Sequence, residues 1–280
     1  MVWFGSFVLL QQQLKNPFNV IGEQTRESAA TLQRIKETDS SLKRLDIYYE
    51  EYNQDSLNSI FETLQNKTYV EELLLTDIPL DNLNAINLFN ALKQNHFKKI
   101  QLNGCGLDDT LCKQLAEALI VSNTADRHAP NMAVFEQQLA FNSNKIGPNG
   151  AKFITDILYS ENNRITTLCL NTNNVGNEGI KFIADAIMKS GCCKLTSLNL
   201  GGNKIRDAGA IAIANALKDV HRHYQHSAES LYFPTLTRLS LDRNYIGSEG
   251  CIFLGEALAQ NKSLMSLSLW SMSISCIRHN

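Results

Sequence analysis

The chain has 280 residues, 44% hydrophobic and 19% charged, with a net charge of −2. That is ample for a buried core. The near-neutral balance argues against the clustered basic field that a nucleic-acid surface needs.

From the N-terminus, Val2 to Leu10 is apolar and has the length of a signal-peptide core. It lacks a basic leader and a small-residue cleavage site, so it reads instead as a cover for the open end of a stacked array. It is too short to span a bilayer, and no membrane association is expected. Phe18 to Lys36 carries Ala29, Leu32 and Ile35 at helical spacing. The expectation is a capping segment with a helix over residues 1–41, followed by one elongated domain over 42–280.

Three stretches then superpose without gaps: Ile165–Ile187, Leu195–Leu217 and Leu236–Leu258. Their shared frame is L-x-x-L-x-L-x-x-N-x-I-G-x-x-G followed by an apolar helical run. The second Leu of the frame recurs at Leu45, Leu73, Ile100, Leu139, Leu168, Leu198, Leu239 and Leu267. The base period is about 28 residues. Two intervals are longer, which places insertions near 123–133 and 219–234. The frame runs out after Ile274, so the eighth copy is expected to be incomplete.

The residue types have a physical sense. L-x-L alternates at period two, so both leucines point to one side of a short strand. Phe153, Ile154, Ile157 and Leu158 sit at helix spacing. One strand and one helix cannot bury these faces alone, whereas stacked copies can. Asn144, Asn173, Asn203 and Asn244 follow the strand, where an amide can satisfy exposed backbone groups. Glu50, Ile78, Cys105 and Met272 stand there in the other copies. Gly147, Gly176 and Gly247 are expected to take a positive φ.

This pattern resembles the leucine-rich-repeat family, and its long ribonuclease-inhibitor-like class in particular. The resemblance covers about Leu42 to Ile274. It implies an α/β solenoid, a horseshoe of about eight repeats with a parallel concave sheet and convex helices. It also implies that the four asparagines form a ladder between repeats. The implied work is protein binding on the concave face without catalysis or a cofactor. Proteins that activate the Ran GTPase and innate-immunity receptors share such repeats. A regulator of a small GTPase and a receptor fragment are therefore the alternatives.

The expected partner contacts are Tyr48, Tyr49, Glu72, Lys99, Arg238, Asp242, Arg243 and Trp270 on and beside the concave face, together with the two helix–strand insertions. Tyr, Trp and Arg are the usual interface anchors. His221, His223 and His226 lie close in sequence and could hold Zn²⁺, yet nothing fixes a fourth ligand, and a solvated loop is the expected reading. Seven cysteines without a C-x-x-C pair read as free thiols of a reducing cytoplasm. Cys169, on the concave face, lacks the neighbouring base that a reactive thiol needs. Asparagine forms about a tenth of the chain, a flavour of AT-rich genomes. The setting this suggests is a bacterial effector secreted into host cytosol. The unshielded last repeat suggests a homodimer through the C-terminal edge.

Overall fold

The computed structural model describes residues 29–48, 52–65, 67, 69–125, 136–160, 163–188, 193–224 and 236–271, with backbone alone at 123–125 and 219–224. The apolar Val2–Leu10 segment, Tyr49, Glu50, Met272, Ile274 and His226 lie outside these residues, as do the side chains of His221 and His223.

Eight strands alternate with helices: β1 (Arg44–Tyr48), α2 (Gln54–Leu64), β2 (Glu72–Thr76), α3 (Asn82–Gln94), β3 (Lys99–Asn103), α4 (Asp109–Ala125), β4 (Gln137–Ala140), α5 (Pro148–Leu158), β5 (Ile165–Cys169), α6 (Gly176–Met188), β6 (Ser197–Asn199), α7 (Asp207–Tyr224), β7 (Arg238–Ser240), α8 (Ser248–Gln260) and β8 (Ser266–Ser268). A further helix, α1, precedes them at residues 29–36. All eight strands form one parallel sheet in sequence order. From α2 onward, each helix packs on the next. Helices α4 and α7 continue to Ala125 and Tyr224, so the start of each insertion lengthens a helix.

The eight anchor residues stand in one register row across the sheet, from Leu45 through Leu73 and Ile100 to Leu267. Seven of these eight are buried, and each contributes about 1.5–3 kcal/mol by leaving water. Alternation does the rest: the pattern in β3 is partly buried, buried, partly buried, buried, partly buried. Ile35 of α1 is fully buried, and Leu32 packs on the same core.

Three polar systems join the repeats. In the first, each of the four buried asparagines binds the preceding repeat and its own. Asn173 Nδ2 donates to Phe141 O (2.9 Å) in the preceding repeat and to Leu170 O (3.0 Å) in its own, while its Oδ1 accepts from Ile146 N (3.1 Å). Asn144, Asn203 and Asn244 make the same pattern. Cys105 takes the equivalent place in the third repeat, with its Sγ 3.7 Å from Leu75 O. Ile78 can make no such bond and is simply buried.

In the second system, the first turn of one helix caps a later helix. Asp109 Oδ1 accepts from Gly147 N (2.7 Å), and Asp207 Oδ1 accepts from Gly247 N (2.6 Å) and Gly250 N (3.0 Å). Asn177 does the same for Arg206 N (2.8 Å). These carboxylates sit at the positive end of a helix dipole, where anions are favoured.

This corrects the expectation for the glycines. Only Gly176 is left-handed, at φ +61, whereas Gly147 and Gly247 have φ of −95 and −93. Their requirement is room, because a Cβ on Gly247 would lie 2.9 Å from Asp207 Oδ2. The recurrent left-handed residue is the one before the ladder position: Asp77, Gly104, Ser143, Thr172, Gly202, Arg243 and Ser271.

Two substitutions separate these effects. Gly247→Ala crowds the capping carboxylate and should lower stability by about 1–3 kcal/mol. Gly255→Ala, within α8 and facing open space, should raise it by about 0.5–1 kcal/mol. Urea denaturation followed by circular dichroism reads both, and equal effects would contradict the assignment.

Candidate protein-binding face

The outward positions of the strands line the concave side. The first row runs Arg44, Glu72, Lys99, Gln138, Thr167, Ser197, Arg238 and Ser266. The third position continues past the strands into Asn142, Asn171, Gly201, Asp242 and Trp270. The sheet separates the expected contact residues into two groups. Tyr48, Glu72 and Lys99 belong to β1–β3, while Arg238, Asp242, Arg243 and Trp270 belong to β7, β8 and the turns after them. Seven strand spacings put Tyr48 and Trp270 about 34 Å apart along the arc.

At the N-terminal end, charge is neutralised internally. Arg44 Nε donates to Asp46 Oδ2 at 2.9 Å, and its Nη1 lies 3.6 Å from Glu72 Oε2. The Asp46 hydrogen bond holds the Arg44 pKa above its ordinary value. Glu72 is thus partly engaged by a neighbour. Tyr48 is 46% exposed beside this pair.

At the C-terminal end, Asp242 organises the surface. Its Oδ1 accepts from Trp270 N (2.6 Å) and Ser268 Oγ (2.6 Å), and its Oδ2 accepts from Ser240 Oγ (2.9 Å). Burial pushes the Asp242 carboxyl up, but these three hydrogen bonds and the Arg243 charge outweigh it, and the pKa falls below the usual carboxylate value. Asp242 is therefore a support for the face, with its oxygens already occupied. The Arg243 N–H donates to Trp270 O at 2.9 Å, and its guanidinium stacks 5.2 Å from the centre of the Trp270 ring. Trp270 remains 65% exposed. A large aromatic held at backbone and ring loses little freedom on binding.

Asp242 belongs to the third polar system, which sequence reasoning missed. Asn103 Oδ1 accepts from Asn142 N (3.0 Å), Asn142 Oδ1 from Asn171 N (2.9 Å), and Asn171 Oδ1 from Gly201 N (3.0 Å). The signal was present as a recurring N-x-N, in Asn142-Ser143-Asn144 and Asn171-Thr172-Asn173, with Asp242-Arg243-Asn244 as its acidic form.

Burial disfavours the thiolate at several of the described cysteines. Burial pushes Cys105 up to about 12 and raises Cys112 further. Burial also raises Cys169, with Lys99 pulling only partly the other way. Among the described residues, no group of three or more His, Cys, Asp or Glu could hold a metal ion. Asn261 is structural: its Nδ2 donates to Leu217 O (3.2 Å) and its Oδ1 accepts from Leu264 N (2.7 Å).

A family model described as "Leucine Rich repeat" matches residues 191–214 and 234–255, the sixth and seventh repeats of the stack just described. The chain has the α/β leucine-rich-repeat solenoid fold. A ribonuclease inhibitor from Sus scrofa is 25% identical over 245 residues, covering 78% of this chain and 49% of that protein. The repeats are of that long class, and the chain spans about half the length of this relative. Three solved structures are similar in part. The tropomodulin C-terminal domain of Caenorhabditis elegans has a TM-score of 0.40 at 13% identity, over 71% of this chain and 95% of that one. Leiomodin-1 actin-binding site 2 has a TM-score of 0.39 at 17% identity, over 70% and 91%. An internalin from Listeria monocytogenes has a TM-score of 0.34 at 14% identity, over 80% and 66%.

The Asp242 support has a pH signature. A depressed folded-state pKa contributes stability above the unfolded value of about 3.9, which is lost as pH falls through the folded value. In a Trp3→Phe background, fluorescence anisotropy of Trp270 should therefore hold from pH 7 to about 4 and drop below that. Asp242→Ala should lower it already at pH 7. Unchanged anisotropy in that variant would show that Asp242 does not hold the ring.

Proposed function

We propose that this leucine-rich-repeat solenoid is a non-catalytic scaffold that holds a partner protein against its concave sheet. The observation that carries the reading is a pre-formed eight-strand face with an exposed aromatic at each end, Tyr48 and Trp270. Interface energy concentrates in such Tyr, Trp and Arg anchors. The contact set is Tyr48, Tyr49, Glu72, Lys99, Arg238, Arg243 and Trp270, with Asp242 as their support. A partner that bridges the arc or grips one end would meet them.

The setting we propose is host cytosol, reached by secretion from a bacterium. The asparagine-rich composition supports it. Among the described residues, no helix is long and apolar enough to cross a membrane. A homodimer through the C-terminal edge belongs to the same proposal. β8 is hydrogen-bonded to β7 on one side, and Met265 beside it is 86% exposed. A purely monomeric mass by light scattering at high concentration would remove the dimer.

The scaffold reading is tested on a partner recovered from host-cell lysate. Tyr48→Ala with Trp270→Ala should weaken its binding by about 100-fold, the cost of two anchors. Undiminished affinity in a folded double variant would refute the concave face as the contact surface.

A further inference from the structure

The charge on the C-terminal half of the concave face is one-sided. From β4 to the turn after β8, its outward positions are mostly small and polar. Three are charged: Arg238, Asp242 and Arg243. Asp242 is spent on Trp270 N, Ser268 Oγ and Ser240 Oγ. Among the described residues, Arg238 has only a long contact to Ser197 Oγ, at 3.5 Å. Arg243 is stacked on Trp270 and has no carboxylate partner among the described residues. A stacked guanidinium keeps its in-plane N–H donors available, and these match a carboxylate bidentately. The contrast is with Arg44 at the other end, whose charge Asp46 and Glu72 already answer.

We infer that this half of the face selects an acidic, extended protein segment with a large apolar side chain between its carboxylates. The inference rests on the scaffold reading above and adds the chemistry of the partner. Arg238 and Arg243 leave the same repeat five residues apart, one at the start of β7 and one in the turn after it, so at most about 17 Å of chain separates them. Two carboxylates four positions apart in an extended peptide, about 13 Å, fall within that reach. The Trp270 ring lies at the Arg243 end of this span, so an apolar side chain two positions from the carboxylate that meets Arg243 falls next to it. Two guanidiniums with a long uncharged stretch of sheet beside them are too sparse for a polyphosphate chain, which is held by many cations along its track. The chain's net charge of −2 does not conflict, because its acids on this part of the face are internally bonded.

The probe is the capped peptide acetyl-Glu-Ser-Phe-Ser-Glu-amide, compared with its Gln-for-Glu counterpart and with a twelve-residue oligothymidylate. Binding is followed by amide and indole shifts in ¹⁵N–¹H NMR at 0.15 M salt. The Glu peptide should shift the signals of Trp270 and its neighbours and bind about tenfold tighter than the Gln peptide. Arg238→Gln with Arg243→Gln, folded by its own spectrum, should erase that difference. Equal binding of the two peptides on this face overturns the acidic preference and leaves the concave scaffold standing. Shifts confined to the convex helices overturn both readings. No shift with either peptide, or oligothymidylate binding tighter than the Glu peptide, also overturns the inference.

Discussion

The regular part of the structure depends on one interaction, the buried side-chain amide that ties each of the fourth to seventh repeats to the one before it. A strand that leaves a parallel sheet exposes backbone donors and acceptors to an apolar core. An unpaired buried group costs about 1–3 kcal/mol. Asn203 answers this with one side chain. It donates to Leu170 O and Leu200 O in two repeats and accepts from Val175 N. No aliphatic residue could make these bonds. The helix-capping carboxylates Asp109 and Asp207 do the same work at the other end of the turn. The concave-edge series from Asn103 to Asp242 does it beside the binding face.

These bonds join structure to function. A binding face is most useful when it is already ordered, since ordering side chains on binding costs affinity. Trp270 is exposed, yet its N–H is held by Asp242, its carbonyl by Arg243 N, and its ring by the Arg243 guanidinium. Arg243 reaches the ring from a left-handed backbone at φ 53, a conformation that L side chains rarely adopt. The same turn conformation recurs in earlier repeats, so the position is a property of the stack.

Much of this was legible in the sequence. The eight anchors from Leu45 to Leu267 fall in one register row, because a period-two leucine pair has only one way to face a shared core. The glycines were harder. A glycine can mean a positive φ or a close approach, and spacing does not distinguish them. Gly147 and Gly247 proved to make room for a carboxylate from the preceding helix. The role of Asp242 was equally hidden. A charged residue on a solvent face reads as a contact, and only the fold shows that its oxygens are occupied by Ser240, Ser268 and Trp270. Of the three histidines, His226 and the side chains of His221 and His223 lie outside what the structure describes.

The account's central claim is that inter-repeat polar bonds hold the concave face in a pre-formed state. Native-state hydrogen exchange by NMR tests it most directly, at the amides of Asn142, Asn171, Gly201 and Trp270. Each donates to a side chain of the preceding repeats. The account predicts slow exchange at all four, including Trp270 despite its exposure, and faster exchange at Trp270 alone in Asp242→Ala. Exchange at solvent rates along this edge in the unaltered protein would contradict it.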